Sequence, residues 1–141
     1  MTKSIQLSIF ILFACMYSII AQETIQSNQT STITIDISGV GSDEGHLLIG
    51  LYSDKSNWLQ NAPYGSKTEI IEGSATAIFQ NIPIGEYAIS IFHDENDNGE
   101  LDTNFLGIPN EPFACSNGAK GRFGPPKWVD AVFKVEGATF K

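Results

Sequence analysis

The chain is poor in cysteine, in histidine and in positive charge, and each shortage closes off a class of function. Its cysteines are Cys15 and Cys115. Cys15 falls in an apolar leader, so the mature form keeps a single thiol, has no internal disulfide, and must rely on its core. The two histidines, His46 and His93, are far apart, whereas a transition-metal site asks for several His or Cys ligands at close spacing. Lys and Arg total 8 against 16 Asp and Glu, a formal net charge of −8. That balance opposes nucleic acid, whose binding draws on clustered cations, and docking on anionic lipid. A Gly-x-Ser-x-Gly nucleophile elbow is missing. So is a sustained 3.6-residue apolar stripe outside the leader, which argues against a helical architecture.

The first residues are unlike the rest. Lys3 precedes a nearly unbroken apolar run from Ile5 to Ile20, then come Ala21-Gln22 and the polar stretch Glu23 to Ser31. This is the layout of a secretory signal peptide cleaved after Ala21. The apolar run falls short of the ~20 residues a spanning helix needs, and nothing downstream resembles a second span. The mature chain is therefore expected to have no membrane span. Leu12-Phe13-Ala14-Cys15 offers an alternative, a lipoprotein box with lipidation at Cys15, although Phe13 fits it poorly. The expected organisation is a signal peptide over 1–21, a flexible lead-in over 22–31 and one domain over 32–141, long enough to bury a core of its own. Asn28-Gln29-Thr30 matches an N-glycosylation sequon.

From Thr32 the apolar residues alternate, as half-buried strands require. Ile33, Ile35 and Ile37 share one face, as do Leu47, Ile49 and Leu51, and Tyr87, Ile89 and Ile91. Trp58 is expected to fold back as a lid on the core, and Pro63-Tyr64-Gly65 to form a turn. Thr68 to Ile71 and Ala75 to Phe79 read as strands joined across Glu72-Gly73. Asp130 to Val135 reads as a strand with Ala131, Phe133 and Val135 on one face, before a short last strand ending near Phe140. Leu106 to Pro126 holds too many glycines and prolines for regular structure. About seven short strands between turns indicate an all-β sandwich with Greek-key connections and one long irregular loop.

The most informative stretch is Asp94-Glu95-Asn96-Asp97-Asn98-Gly99-Glu100-Leu101-Asp102. Oxygen-bearing side chains at alternate positions, with a glycine that permits a tight turn, are what a hard cation needs from a continuous loop. For Ca²⁺ the ligands would be the side chains of Asp94, Asn96 and Asn98, the Glu100 carbonyl, and Asp102 directly or through water. The bidentate Glu of an EF-hand is absent, since Phe105 stands at the twelfth position. Further oxygens would have to come from Asp97 or Glu111. The competing reading is an Asx-rich turn with no metal.

Several motifs resemble the DUF2141 family of exported bacterial proteins. They are Phe79-x-Asn81-Ile82-Pro83-x-Gly85-x-Tyr87-Ala88-Ile89, His93-Asp94-x-Asn96-x-Asn98-Gly99-x-Leu101-Asp102, Gly107-Ile108-Pro109-x-Glu111, Ser116-Asn117, Phe123-Gly124-Pro125-Pro126 and Asp130-Ala131-x-Phe133. The resemblance runs from about Ile33 to Phe140. Ala114-Cys115 departs from it, where the family more often looks aromatic. The Asn-Ile-Pro-x-Gly-x-Tyr turn is loosely similar to prealbumin-like and Cna-B-like surface modules, which implies an Ig-like sandwich. Fold at that level does not fix function.

The expected function is a non-enzymatic, monomeric β-sandwich module, secreted, periplasmic or in the cell envelope, with a Ca²⁺-stabilised loop and an unidentified partner. One alternative is a carbohydrate- or protein-binding module using residues 106–128, where Phe105, Phe113, Phe123 and Trp128 would either form a contact surface or pin the loop onto the sandwich. That reading requires exposed aromatics. The other is a small thiol or hydrolytic enzyme, which requires His93 within reach of Ser116 or Cys115.

Overall fold

The computed structural model describes residues 29–137 and 139–140. The apolar leader, the cleavage position after Ala21, Cys15 and Asn28 of the sequon lie outside them. Among the described residues no helix is long and apolar enough to cross a membrane.

The protein is an all-β sandwich of eight strands: β1 Thr30–Ser38, β2 His46–Tyr52, β3 Tyr64–Thr68, β4 Ser74–Pro83, β5 Gly85–Asp94, β6 Phe113–Cys115, β7 Phe133–Val135 and β8 Thr139–Phe140. One sheet has the order β4-β1-β8, with β8 parallel to β1. The other has the order β3-β2-β5-β6, with β7 antiparallel to the start of β5. Alternation along the strands sends one set of side chains between the sheets. Ile33, Ala77 and Phe79 from the first sheet meet Leu47, Ile49, Leu51, Tyr87, Ile89 and Val135 from the second in one core. Ile91 and Phe133 border that core half-buried.

The motif from Phe79 to Tyr87 carries the chain from one sheet to the other. Asn81 adopts φ +58, beside a register shift between Ser31↔Ile82 and Ile33↔Phe79. The bulge swings Ile82 into the core. Tyr87 then folds back and donates its hydroxyl to the Pro83 carbonyl at 2.8 Å, the bond of a tyrosine corner. Burial raises the Tyr87 phenol above its ordinary value, with a smaller contribution from Tyr64.

Several expectations need correction. Leu106 to Pro126 is not irregular throughout: β6 lies within it and pairs with β5, where the ladder outweighs the flanking glycines and prolines. Tyr64-Gly65 begins a strand rather than a turn; β3 lies at a sheet edge, where Pro63 just before it and Gly65 within it are tolerated. Residues 69–71 lie outside β3, and the chain reverses through an Ile71↔Ser74 bridge with Glu72 and Gly73 both at positive φ. Asp130 and Ala131 belong to a four-residue helix, α1 Trp128–Ala131, and only Phe133–Val135 is strand. Trp58 is indeed a lid, but on the outer face of the second sheet. It packs edge-on against Tyr52 and Trp128, at centroid distances of 5.0 and 5.9 Å. There it covers a small cluster of Ala88, Ala119 and Ala131.

Candidate metal loop and its surroundings

Asp94 is the last residue of β5, paired across from His46. Its side chain is 0% exposed. One carboxylate oxygen, Oδ1, accepts the Asn98 N–H at 3.0 Å, and Oδ2 accepts the Gly99 N–H at 2.8 Å. Asn96 Oδ1 shares the Asn98 N–H at 3.0 Å, and Asn98 Oδ1 accepts the Glu100 N–H at 2.8 Å. Two Asx turns thus follow one another around the Asp94 carboxylate. Gly99 takes φ +81 at the reversal. Asp102 closes the ring: its Oδ2 accepts from Asn96 Nδ2 at 2.7 Å and its Oδ1 from Asn98 Nδ2 at 3.1 Å.

Two residues far along the chain brace this ring. Glu111, 7% exposed, accepts the Glu95 N–H at 3.1 Å and the Asp102 N–H at 3.0 Å, one on each oxygen. Gly45, at φ +68, passes so close that a Cβ there would lie 2.0 Å from the Asp94 carbonyl oxygen. His93 is buried and donates Nε2–H to the Glu44 carbonyl at 2.6 Å. Its Nδ1 has no hydrogen-bond partner and lies 3.7 Å from Glu95 Oε1. Asp97 turns outward to His46 Nδ1 at 2.6 Å and Lys67 Nζ at 3.1 Å. The Lys67 and His46 hydrogen bonds hold its carboxyl below the ordinary carboxylate value.

The sequence motif is therefore brought together in part. Asp94, Asn96, Asn98 and Asp102 converge, and Glu100 enters with its backbone N–H. The two side chains expected to lend oxygens are engaged elsewhere: Glu111 by backbone N–H groups, and Asp97, through Oδ1, by His46 and Lys67 outside the ring. Among the described residues no three His, Cys, Asp or Glu side chains form a metal-sized group, so amide and backbone oxygens would have to complete any shell. The donor set fits a hard cation in kind, being oxygen throughout. Both amide Nδ2 groups face Asp102, while both amide oxygens are engaged by backbone N–H groups of the two Asx turns.

The chain that builds this fold and ring matches one family description. That family, described as an uncharacterized protein conserved in bacteria (DUF2141), matches residues 35–141. The chain belongs to the DUF2141 family. No curated protein and no solved structure matches it. Nearly the whole of the sandwich, the Asp94–Asp102 loop and the long 106–128 segment of this DUF2141 chain fall inside the matched residues. The likeness to prealbumin-like modules has only the all-β sandwich behind it.

The residues of a hydrolytic or thiol centre are placed apart in the DUF2141 chain. Ser116 Oγ donates to the Ala131 carbonyl at 2.6 Å and accepts the Ile89 N–H at 2.9 Å, fastening α1 to β5. Cys115 pairs with Ser90 across the β5–β6 ladder. His93 lies three residues further along β5, roughly 10 Å at strand spacing. Burial pushes the Cys115 thiol up to about 11, away from the thiolate a nucleophile needs.

The long segment divides. Trp128 is packed on Trp58, whose Nε1–H donates to the Pro126 carbonyl at 2.8 Å. Phe105, 95% exposed, Phe113 and Phe123 stand out in solvent with Leu106 and Ile108. Phe105 and Leu106 ride on a tight hairpin in which Asn104 Oδ1 accepts the N–H groups of Leu106 and Ile108. Sequence reasoning placed the ring residues but missed Gly45, whose closeness to Asp94 arises only once β2 and β5 pair. Lys120, Arg122 and Lys127 stand among glycines and prolines, which mask them as a cluster until the loop is folded.

Proposed function

We propose that this DUF2141 protein is an exported, non-enzymatic β-sandwich module of the cell envelope or extracellular space, and that its Asp94–Asp102 loop binds Ca²⁺. The observation that carries the metal reading is the Asp94 carboxylate. It is fully buried, and its partners are backbone N–H groups rather than a cationic side chain. A buried carboxylate is normally paired with a cation or placed on a metal. Asp102 lies in the same ring, so a bound cation would face the carboxylates of Asp94 and Asp102 once the two amide donors turn away from Asp102. With so few charged ligands the affinity falls on the order of 10⁻⁵ to 10⁻³ M, as in extracellular Ca²⁺ modules. Export is supported by the Lys3, Ile5–Ile20 and Ala21 layout.

Thermal melts test the metal reading. At about one hundred times the dissociation constant, Ca²⁺ should stabilise the wild type by about 2.7 kcal/mol over a chelated sample. Asp94→Asn should lose that increment. An equal gain in the variant would move the ion to another place in the molecule.

A second reading is favoured by the exposed rings. With Phe105, Phe113 and Phe123 each in solvent, residues 106–128 serve as a carbohydrate- or protein-binding surface, since exposed aromatic side chains are the anchors that such surfaces favour. Phe105→Ala should weaken such binding without lowering the melting temperature.

A further inference from the structure

Lys120, Arg122 and Lys127 line a single open cavity of about 520 Å³ together with Phe123 and Asp130. Three of the eight cations of a chain with net charge −8 are thus gathered within eight residues. The ion pairs formed by lysine among the described residues involve Lys67 and Lys134 instead. Like charges brought together with one carboxylate among the lining residues repel, and an anion relieves that repulsion.

The cavity rests on a fixed base. Its two flanks are tied down by Ala119, buried, and by Pro126, whose carbonyl holds Trp58. Between them the backbone doubles back so tightly that a Cβ on Gly121 would lie 1.7 Å from the Gly124 carbonyl oxygen, with Gly124 at φ +146. The cations therefore project from a shaped loop rather than from a loose tail, which reduces the ordering cost of binding.

We propose that this cavity binds a short segment of acidic polysaccharide, a glycan bearing carboxylate or sulfate groups. It deepens the second reading above, on which it rests, by naming the ligand class. The Arg122 guanidinium offers a planar fork that matches an oxyanion with two parallel N–H donors. The two lysines add point charges beside it. Phe123 is fully exposed at the rim, and its ring face can take the polarised C–H bonds of a sugar as it would take the positive edge of another ring. The volume is that of a small-ligand site. Overall charge selects among anions: a long polyanion or an anionic bilayer meets the repulsion of the whole acidic molecule, whereas a short segment with a few charges meets mainly the local patch.

Amide NMR titration of the ¹⁵N-labelled protein decides it, with four probes: trigalacturonic acid, its methyl ester, inorganic phosphate and phosphatidylglycerol vesicles. The acidic trisaccharide should shift the resonances of residues 120–130 saturably, and the uncharged ester should bind at least roughly tenfold more weakly. Arg122→Gln should weaken the acid by about tenfold, and added salt should weaken it further. Phe123→Ala should weaken the trisaccharide and leave phosphate unchanged. These side chains are exposed, so an unchanged spectrum away from the cavity certifies the fold of each variant. Equal binding of acid and ester, shifts with phosphate alone, preference for the vesicles, or no shift in residues 120–130 would each overturn the proposal. Equal binding of acid and ester that is lost in Phe105→Ala would overturn it while leaving the second reading intact.

Discussion

Gly45 shows how a single position can govern a loop that it does not belong to. Its φ of +68 and the 2.0 Å separation between a built Cβ and the Asp94 carbonyl oxygen leave no room for a side chain. Gly45→Ala should lower stability by roughly 2–3 kcal/mol through overpacking and backbone strain, read by urea unfolding. Gly99→Ala, with open space around it, should cost only about 1 kcal/mol for its positive φ. Asp97 gives a pH signature. Its carboxyl lies below the ordinary 3.8 because Lys67 and His46 bond the charged form. The contribution is therefore fully present above that ordinary value and is lost as pH falls through the lowered one. Lys67→Gln should lower stability slightly across the neutral region, and the difference from the wild type should vanish as the pH falls below about 4. The side-chain ring itself was legible in the sequence, because Asx turns are made by residues two to five apart. Its braces were not. Glu111 carries oxygens of the kind a metal takes, yet in the fold both hold backbone N–H groups at either end of the ring.

At the level of strands and turns, period-two alternation sufficed wherever a strand lies in the interior of a sheet. β1, β2 and β5 came out close to their expected extents because their inward residues all meet one core. Edges and ends were harder. β3 carries Gly65 and follows Pro63, both turn signals, and pairing with β2 alone is enough to make it a strand. The α1 turn was hidden because Ala131, Phe133 and Val135 keep their alternation across its end, and Ala131 is buried in the second cluster rather than the main core. Burial ranks the substitutions accordingly. Ile33, at 1% exposure, should cost roughly 2–5 kcal/mol on truncation to alanine. Phe133 borders the core half-buried, so Phe133→Ala should cost less than the 3–5 kcal/mol of a fully enclosed ring. Denaturant midpoints of the two variants decide the order, and a larger loss at Phe133 would misplace the core.

The whole molecule combines a sandwich with two unlike ends of its loop system, an acidic ring at Asp94–Asp102 and a basic cavity at Lys120–Asp130. Fold class could be read from the sequence because turns recur at strand spacing. The pairing of β7 with β5 and the parallel run of β8 on β1 could not, since each joins segments far apart in the chain. If the leader is removed after Ala21, the intact mass of the exported protein should correspond to a start at Gln22, and a lipid-bearing start at Cys15 would instead make it a lipoprotein. The central claim, that the Asp94–Asp102 loop binds Ca²⁺, is tested most directly by titrating the ion into the ¹⁵N-labelled protein and following its amide resonances. Saturable shifts centred on Asn96, Asn98, Gly99 and Glu100, with a dissociation constant on the order of 10⁻⁵ to 10⁻³ M, are the predicted result. Unmoved resonances in that loop at ion concentrations well beyond that range would contradict it and leave the ring as a self-sufficient Asx turn.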